Sequence, residues 1–346
     1  MAVSRRFFQQ HVLPIVEQEV PEVASEGAFG LFGLGSEAYG LDDEFSRDHH
    51  WGLRIDLILP EAVLQRNAAS LARAVAAALP PEFEGVSLRE GHVKGAGLAP
   101  ESLEAFLDRT IGLKKAPESH QEWLSIPEED IVHVINGEIW HDPSGRFTAL
   151  RSQFDSYYPE PVWLRRLAHW SRYYSGMGCY ALHRALMRGN ELYASIAFGK
   201  AIRLGVQLAF LLDRVYFPYD KWLLARFTGL PRMYRRMGAQ VEEAVKLETP
   251  WLRKQALLDE ISDVLDRTMV EDGLIPPHPA FVGSATSGYR LLEHAYTALI
   301  HRIPSELQEV VPNWDQIPLE RFHSRYVAEI DLGHWDELLC LKPRQP

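Results

Sequence analysis

The chain has 346 residues, enough for two domains or one large one with an ample core. A net charge of −11 argues against a broad nucleic-acid footprint while leaving room for a local basic pocket. Only two cysteines occur, Cys179 and Cys340, far apart and without a Cys-x-x-Cys, which argues against a disulfide framework or a thiolate zinc site.

Residues 4–20 read as a helix, with Phe7, Phe8, Val12, Ile15 and Val16 near helical spacing and Pro21 as a stop. Phe29 to Leu34 reads as the first strand. Gly52 to Leu59 reads as a second strand that begins upstream, near Asp48. Alternation puts His49, Trp51, Leu53, Ile55, Leu57 and Leu59 on one face. Asp48, His50, Gly52, Arg54 and Asp56 share the other, which is expected to be open and acidic.

Pro60 to Leu79 has the spacing of a helix, Gly85 to Val93 that of a strand, and Glu101 to Ile111 that of a short helix. Asn136-Gly137 between Ile131–Ile135 and Glu138–His141 predicts a β-hairpin. Asp142-Pro143-Ser144-Gly145 then turns the chain. After Tyr157-Tyr158-Pro159, helices alone are expected as far as residue 303. The longest, 192–216, is apolar on most sides and suits the centre of a bundle. The fold class is therefore α+β: a mixed-sheet domain over 1–155, an all-α helical bundle over 156–303, and a C-terminal extension, 304–346, packing on the bundle. No run of about 20 apolar residues and no secretory leader is evident, so a cytoplasmic protein is expected.

The chemistry concentrates in Gly35 to Trp51. A glycine lets backbone N–H groups approach a phosphate, and Ser36 can add its hydroxyl. Asp48 and His50, two apart on a strand, point the same way and can share a metal ion bridging to substrate phosphates. A plain acidic loop before an edge strand is the competing reading. Asp56 lies roughly 25 Å further along an extended strand, too far for the same metal. Asp142 is either a third carboxylate near the metal or a turn-initiating aspartate. Lys221 is placed to meet triphosphate oxygens or to stack on its aromatic neighbours. Lys200 and Arg203 interrupt an apolar helix and need a cleft or a carboxylate. Glu191 is a general base or a helix-start acid. Asp42, Asp43 and Glu44 are open to structural or metal-site roles.

A Gly-Ser turn followed at this distance by acidic residues on an apolar strand resembles the polymerase-β-like nucleotidyltransferase superfamily. More closely, Gly35-Ser36-x-x-x-Gly40-x-Asp42-Asp43-Glu44-x-Ser46-x-Asp48-His49-x-Trp51-Gly52 looks like the signature of the nucleotidyltransferase-like DUF4037 family. Glu138-Ile139-Trp140-His141-Asp142-Pro143-x-Gly145, Tyr158-Pro159 and Tyr216-x-Pro218-Tyr219-x-Lys221-Trp222 also resemble that family, so the likeness spans roughly residues 25–235. The resemblance implies a nucleotidyltransferase-like N-terminal domain. It implies transfer of a nucleoside monophosphate from an NTP to a small-molecule or protein hydroxyl, with Mg²⁺ or Mn²⁺. Gly35, Ser36, Lys200 and Lys221 would bind nucleotide, and Asp48 and His50 would hold metal with Asp142 alongside. His50 stands where the superfamily has a second carboxylate, which favours a rival: a degenerate relative that binds a nucleotide or ligand and regulates. Nucleic acid and membrane are not expected partners.

Overall fold

The computed structural model describes residues 1–46, 52–87, 98–277 and 292–308. The chain is α+β and forms two compact units that divide between Ser156 and Tyr157.

The first unit is built on a four-stranded mixed sheet of β1 (Ala28–Leu31), β2 (Ile55–Leu59), β3 (Leu98–Ser102) and β4 (Glu138–His141). Their order is β3-β2-β1-β4. β1 runs antiparallel to both neighbours, pairing Ala28 with Ile58 and Gly30 with Asp56 on one side, and Leu31 with Glu138 on the other. β2 and β3 are parallel.

The alternation predicted for β2 holds. Ile55, Leu57 and Leu59 join a core with Phe7, Phe8, Val12 and Val16 of the N-terminal helical segment and with Val63, Leu71 and Val75 of helix α1 (Glu61–Ala78). The expectation of an open second face fails, because Arg54, Asp56 and Ile58 are buried there too. Helices α2 (Leu103–Ile111) and α3 (Arg146–Asp155) belong to this unit, and their Phe106 and Phe147 rings sit 5.8 and 4.7 Å from Phe32. A sheet helix-covered on both faces buries both sets of side chains.

The predicted hairpin does not form. Val132–Ile135 is a single helical turn, and β4 pairs with β1. Gly137, at φ +72°, passes so close that a Cβ would meet the Leu31 carbonyl and Phe32 Cα. Backbone approach to β1, not a two-residue turn, is what the glycine serves. Pro21 likewise starts a helix, Pro21–Glu26, instead of only ending one.

The second unit holds helices alone among its described residues. Helix α4 (Glu160–Tyr173) continues through a π-helical turn, Tyr174–Tyr180, into Ala181–Met187. Helix α5 (Glu191–Asp213) packs on these, on Met233–Val245 and on helix α6 (Trp251–Glu271). Its second half, from Leu204 to Leu212, is buried throughout, whereas Leu192, Tyr193 and Ile196 near its start are exposed. α5 is long and apolar enough to cross a bilayer by composition, and most of that stretch is buried within the unit, as in a core helix. The expected wrapping of the C-terminal extension lies outside the described residues.

His169 on α4 is 3 % exposed, and neither ring nitrogen has a hydrogen-bond partner among the described residues. Burial, with the charges of Arg165, Arg166 and Arg172, pushes it down to about 3. The folded chain therefore holds this ring neutral where the unfolded chain would protonate it. The sign follows: the stability associated with His169 is intact above pH 6.5 and is lost as the pH falls toward 3. An orphaned buried polar group costs about 1–2 kcal/mol, so His169→Phe is expected to stabilise the protein by roughly that amount at neutral pH. The gain should widen as the pH drops from 6.5 to 5. Denaturant unfolding across that range checks it, and equal or lower stability of the variant would contradict it.

Candidate functional site

β1 stops at Leu31 because the next residues turn. Gly33 has φ +83° and Gly35 has φ +109° with ψ 147°, a region that side-chain-bearing residues rarely enter. Ser36–Tyr39 makes one helical turn, closed by Gly40 in the left-handed region.

This turn is clamped from inside. Arg54 Nη1 donates to the Leu34 carbonyl at 2.5 Å, and Nη2 donates to the Phe32 carbonyl. Arg54 also grips Asp56 through Nε at 2.9 Å and Nη2 at 2.8 Å. Asp56 in turn accepts the Phe32 N–H at 2.9 Å. From the other side the Asn136 side chain accepts the Gly33 N–H at 2.8 Å and donates to the Gly33 carbonyl at 2.7 Å. His133 Nδ1 lies 3.4 Å from the same carbonyl and 3.3 Å from the Tyr39 hydroxyl. Burial pushes His133 down to about 4, so it is neutral at physiological pH. The Asp130 carboxyl, 4.0 Å from its Nε2, is pushed up to about 8 by burial, with Glu129 adding to the effect.

Among the expected site residues, Gly35 and Ser36 are adjacent in this turn. The Ser36 hydroxyl donates to Asp42 at 2.9 Å, which puts two oxygen donors side by side. Asp43 has a structural part, accepting from the Phe45 N–H at 3.0 Å and the Ser46 hydroxyl at 2.7 Å. Asp48 and His50 lie outside the described residues. Among the described residues no group of three His, Cys, Asp or Glu is placed to hold a metal.

Asp142 follows His141, which pairs with Phe29, so it stands at the opposite end of the sheet from Ser36. Its carboxylate accepts the Thr148 N–H at 2.9 Å, the Thr148 hydroxyl at 2.8 Å and the Ser144 hydroxyl at 3.2 Å, capping the start of α3. In the second unit, Lys200 and Lys221 are both exposed, and the Lys221 ammonium lies 4.8 Å from the Trp222 ring. Arg203 meets the need for a carboxylate, donating to Asp220 at 2.6 Å. Glu191 sits exposed in the first turn of α5, where it suits the helix dipole.

Residues 123–223 match the family model described as Domain of unknown function (DUF4037). The matched stretch contains His133, Asn136, Asp142, Lys200 and Lys221, and leaves Gly35 and Ser36 outside it. No curated protein and no solved structure matches the chain.

Nothing local in the sequence assigns this part to Arg54, Asp56, Asn136 and His133: Arg54 and Asp56 are expected on an open face and Asn136 in a hairpin turn. The available signal was the flanking pattern: helices predicted before and after β2 imply cover on both faces, and an Arg-x-Asp inside a doubly covered strand must be paired. Removing one partner of a buried ion pair typically costs about 3–5 kcal/mol. Asp56→Asn is therefore expected to destabilise the first unit by that order, and Asn136→Ala by about 1–3 kcal/mol. The double change Arg54→Met with Asp56→Leu should not recover the loss, because it orphans the Phe32 N–H and the Phe32 and Leu34 carbonyls. Urea unfolding of the three variants checks this, and a double variant as stable as the native protein would refute the clamp account.

Proposed function

We propose that the protein is a nucleotidyltransferase that moves a nucleoside monophosphate from an NTP to a hydroxyl of a small molecule or protein and releases pyrophosphate. The observation that carries this reading is the clamped turn: a Gly-Ser pair between a strand and a helical turn, with the backbone of the preceding residues, Phe32 to Leu34, gripped by Arg54, Asp56 and Asn136. A turn held so firmly presents its outer edge ready-made to a phosphate. Gly35 removes the Cβ from the approaching phosphate, and Ser36 can redirect its hydroxyl from Asp42 to a phosphate oxygen. Lys200 and Lys221, exposed on the second unit, keep the nucleotide-binding part expected of them as point charges.

The donor types at the turn, a hydroxyl and a carboxylate 2.9 Å apart, suit a hard divalent cation. Asp48 and His50 would hold Mg²⁺ or Mn²⁺, which when bound supplies charge neutralisation at the phosphates. In the transfer the acceptor oxygen forms a bond to the α-phosphorus, the bond to the pyrophosphate oxygen breaks, and the acceptor proton passes to a base. Asp142 is assigned the capping part described above. The second reading, a nucleotide- or ligand-binding regulator without turnover, is favoured by one feature, His50 in place of a carboxylate.

Calorimetry with each NTP, with and without Mg²⁺ or Mn²⁺, together with pyrophosphate release, separates the two readings. One charge-assisted hydrogen bond is worth about 1.5–3 kcal/mol, so Ser36→Ala is expected to weaken nucleotide binding at least about tenfold without unfolding the chain. His50→Asp adds an anionic oxygen ligand and should raise Mg²⁺ affinity and the rate of pyrophosphate release. Binding without release in both forms would select the regulator. Affinity for every nucleotide unchanged by Ser36→Ala would remove the phosphate role.

A further inference from the structure

At the far end of the sheet from Gly35, a cavity of about 200 Å³ opens within the first unit. It lies where β2 ends and α1, α2 and α3 begin, beyond the Ala28–Ile58 pair. Its floor is apolar, formed by Ala28, Ile58, Leu59, Pro60, Leu103 and Phe147. Its rim carries Glu26, Glu104 and Asp142 with a single cation, Arg146, and Arg146 is already paired to Glu26 at 2.5 Å.

The rim charges do not cancel. Glu26 and Arg146 neutralise each other, which leaves the carboxylates of Asp142 and Glu104. Asp142 is hydrogen-bonded but not ion-paired among the described residues, and Glu104 is exposed with no ion-pair partner among them. The starts of the three helices offset part of this with partial positive charge. Two of those starts have internal caps: Ser102 takes the Ala105 N–H at 3.1 Å, and Asp142 takes the Thr148 N–H. A cavity of about 150 Å³ lined by aliphatic side chains is known to accept a benzene ring. One slightly larger, with an acidic rim on one side, has room for such a ring and one or two further heavy atoms.

We propose that this cavity binds a small organic cation: an apolar body the size of a single ring seated on Pro60 and Leu103, with an ammonium head at the Glu104 and Asp142 rim. It is separate from the Gly-Ser turn and does not depend on the transfer reaction. Burial of the ring supplies the affinity, and the carboxylates select the charge.

The test uses the full chain and three probes of one shape, benzylammonium, benzyl alcohol and benzoate, followed by amide chemical shifts at low salt. Benzylammonium is expected to move the signals of Ala28, Leu59 and Leu103 and to bind about fivefold more tightly than the alcohol, the scale of a rim ion pair. Benzoate should bind more weakly than either. Glu104→Gln, a surface change, should bring the ammonium toward the alcohol's affinity without altering thermal stability. Leu103→Trp, which fills the cavity, should abolish binding of both. Equal affinity for ammonium and alcohol in the native protein, tighter binding of benzoate, shifts centred elsewhere, or no saturable binding of any probe would each overturn the assignment.

Discussion

A buried charge survives folding only if another charge and enough hydrogen bonds replace the water it gave up. The Arg54–Asp56 pair is such a case, and much of the first unit follows from how it is satisfied. The arginine has donors to spare after meeting the aspartate, and it directs them at the carbonyls of Phe32 and Leu34. The aspartate has acceptor capacity to spare, and it takes the Phe32 N–H. The two side chains thus draw the end of β1 toward the start of β2. The path of the chain between Leu31 and Ser36 becomes the one that lets these bonds form. Glycine at 33 and 35 is the chain's answer to the positive φ angles that path requires.

Asn136 completes the arrangement from the opposite side, and it explains why a strong hairpin signal misled. Asn-Gly in a hairpin would put its backbone into a two-residue turn. Here the asparagine side chain is occupied by both polar groups of Gly33, and the following glycine is needed for backbone contact with Leu31. A local preference worth a few tenths of a kilocalorie gives way to two buried hydrogen bonds worth about 1 kcal/mol each.

The helices were legible because their signal is local. Apolar spacing and stops placed 61–78, 103–111 and 191–213 to within a few residues. Sheet membership was legible only in part. Leu98–Ser102 contains Pro100, which argues against a strand, yet it lies at the sheet edge, where a missing donor costs little. Arg146–Asp155 carries only a short apolar stripe, Phe147, Leu150 and Phe154, and its start depends on a cap from Asp142 that crosses a proline turn. The burial of the Arg54 face depends on α2 and α3 arriving from later in the chain, which no window around β2 contains. For the candidate site, Gly35 and Ser36 were readable from their types, whereas the residues that shape the turn were not, because each acts across 20 to 103 positions of sequence.

Strand direction then separates two regions that the sequence places in one list. β1 leaves the sheet toward Gly35 and Ser36, while its antiparallel neighbours β2 and β4 leave at the other end, toward Pro60 and Asp142. Asp142 is therefore carried away from the turn by the same pairing that brings Asp56 to it. The two aspartates illustrate how topology assigns work to identical side chains. Asp56, inside the sheet and facing an arginine, organises backbone it does not neighbour in sequence. Asp142, just past the last strand, finds the free N–H groups of a helix start and the mouth of an apolar cavity. Chemistry that needs several acids at one point must draw them from chain segments that reach the same sheet end, and for the Gly-Ser turn, among the described residues, those are Ser36 to Ser46 and the starts of β2, β3 and β4.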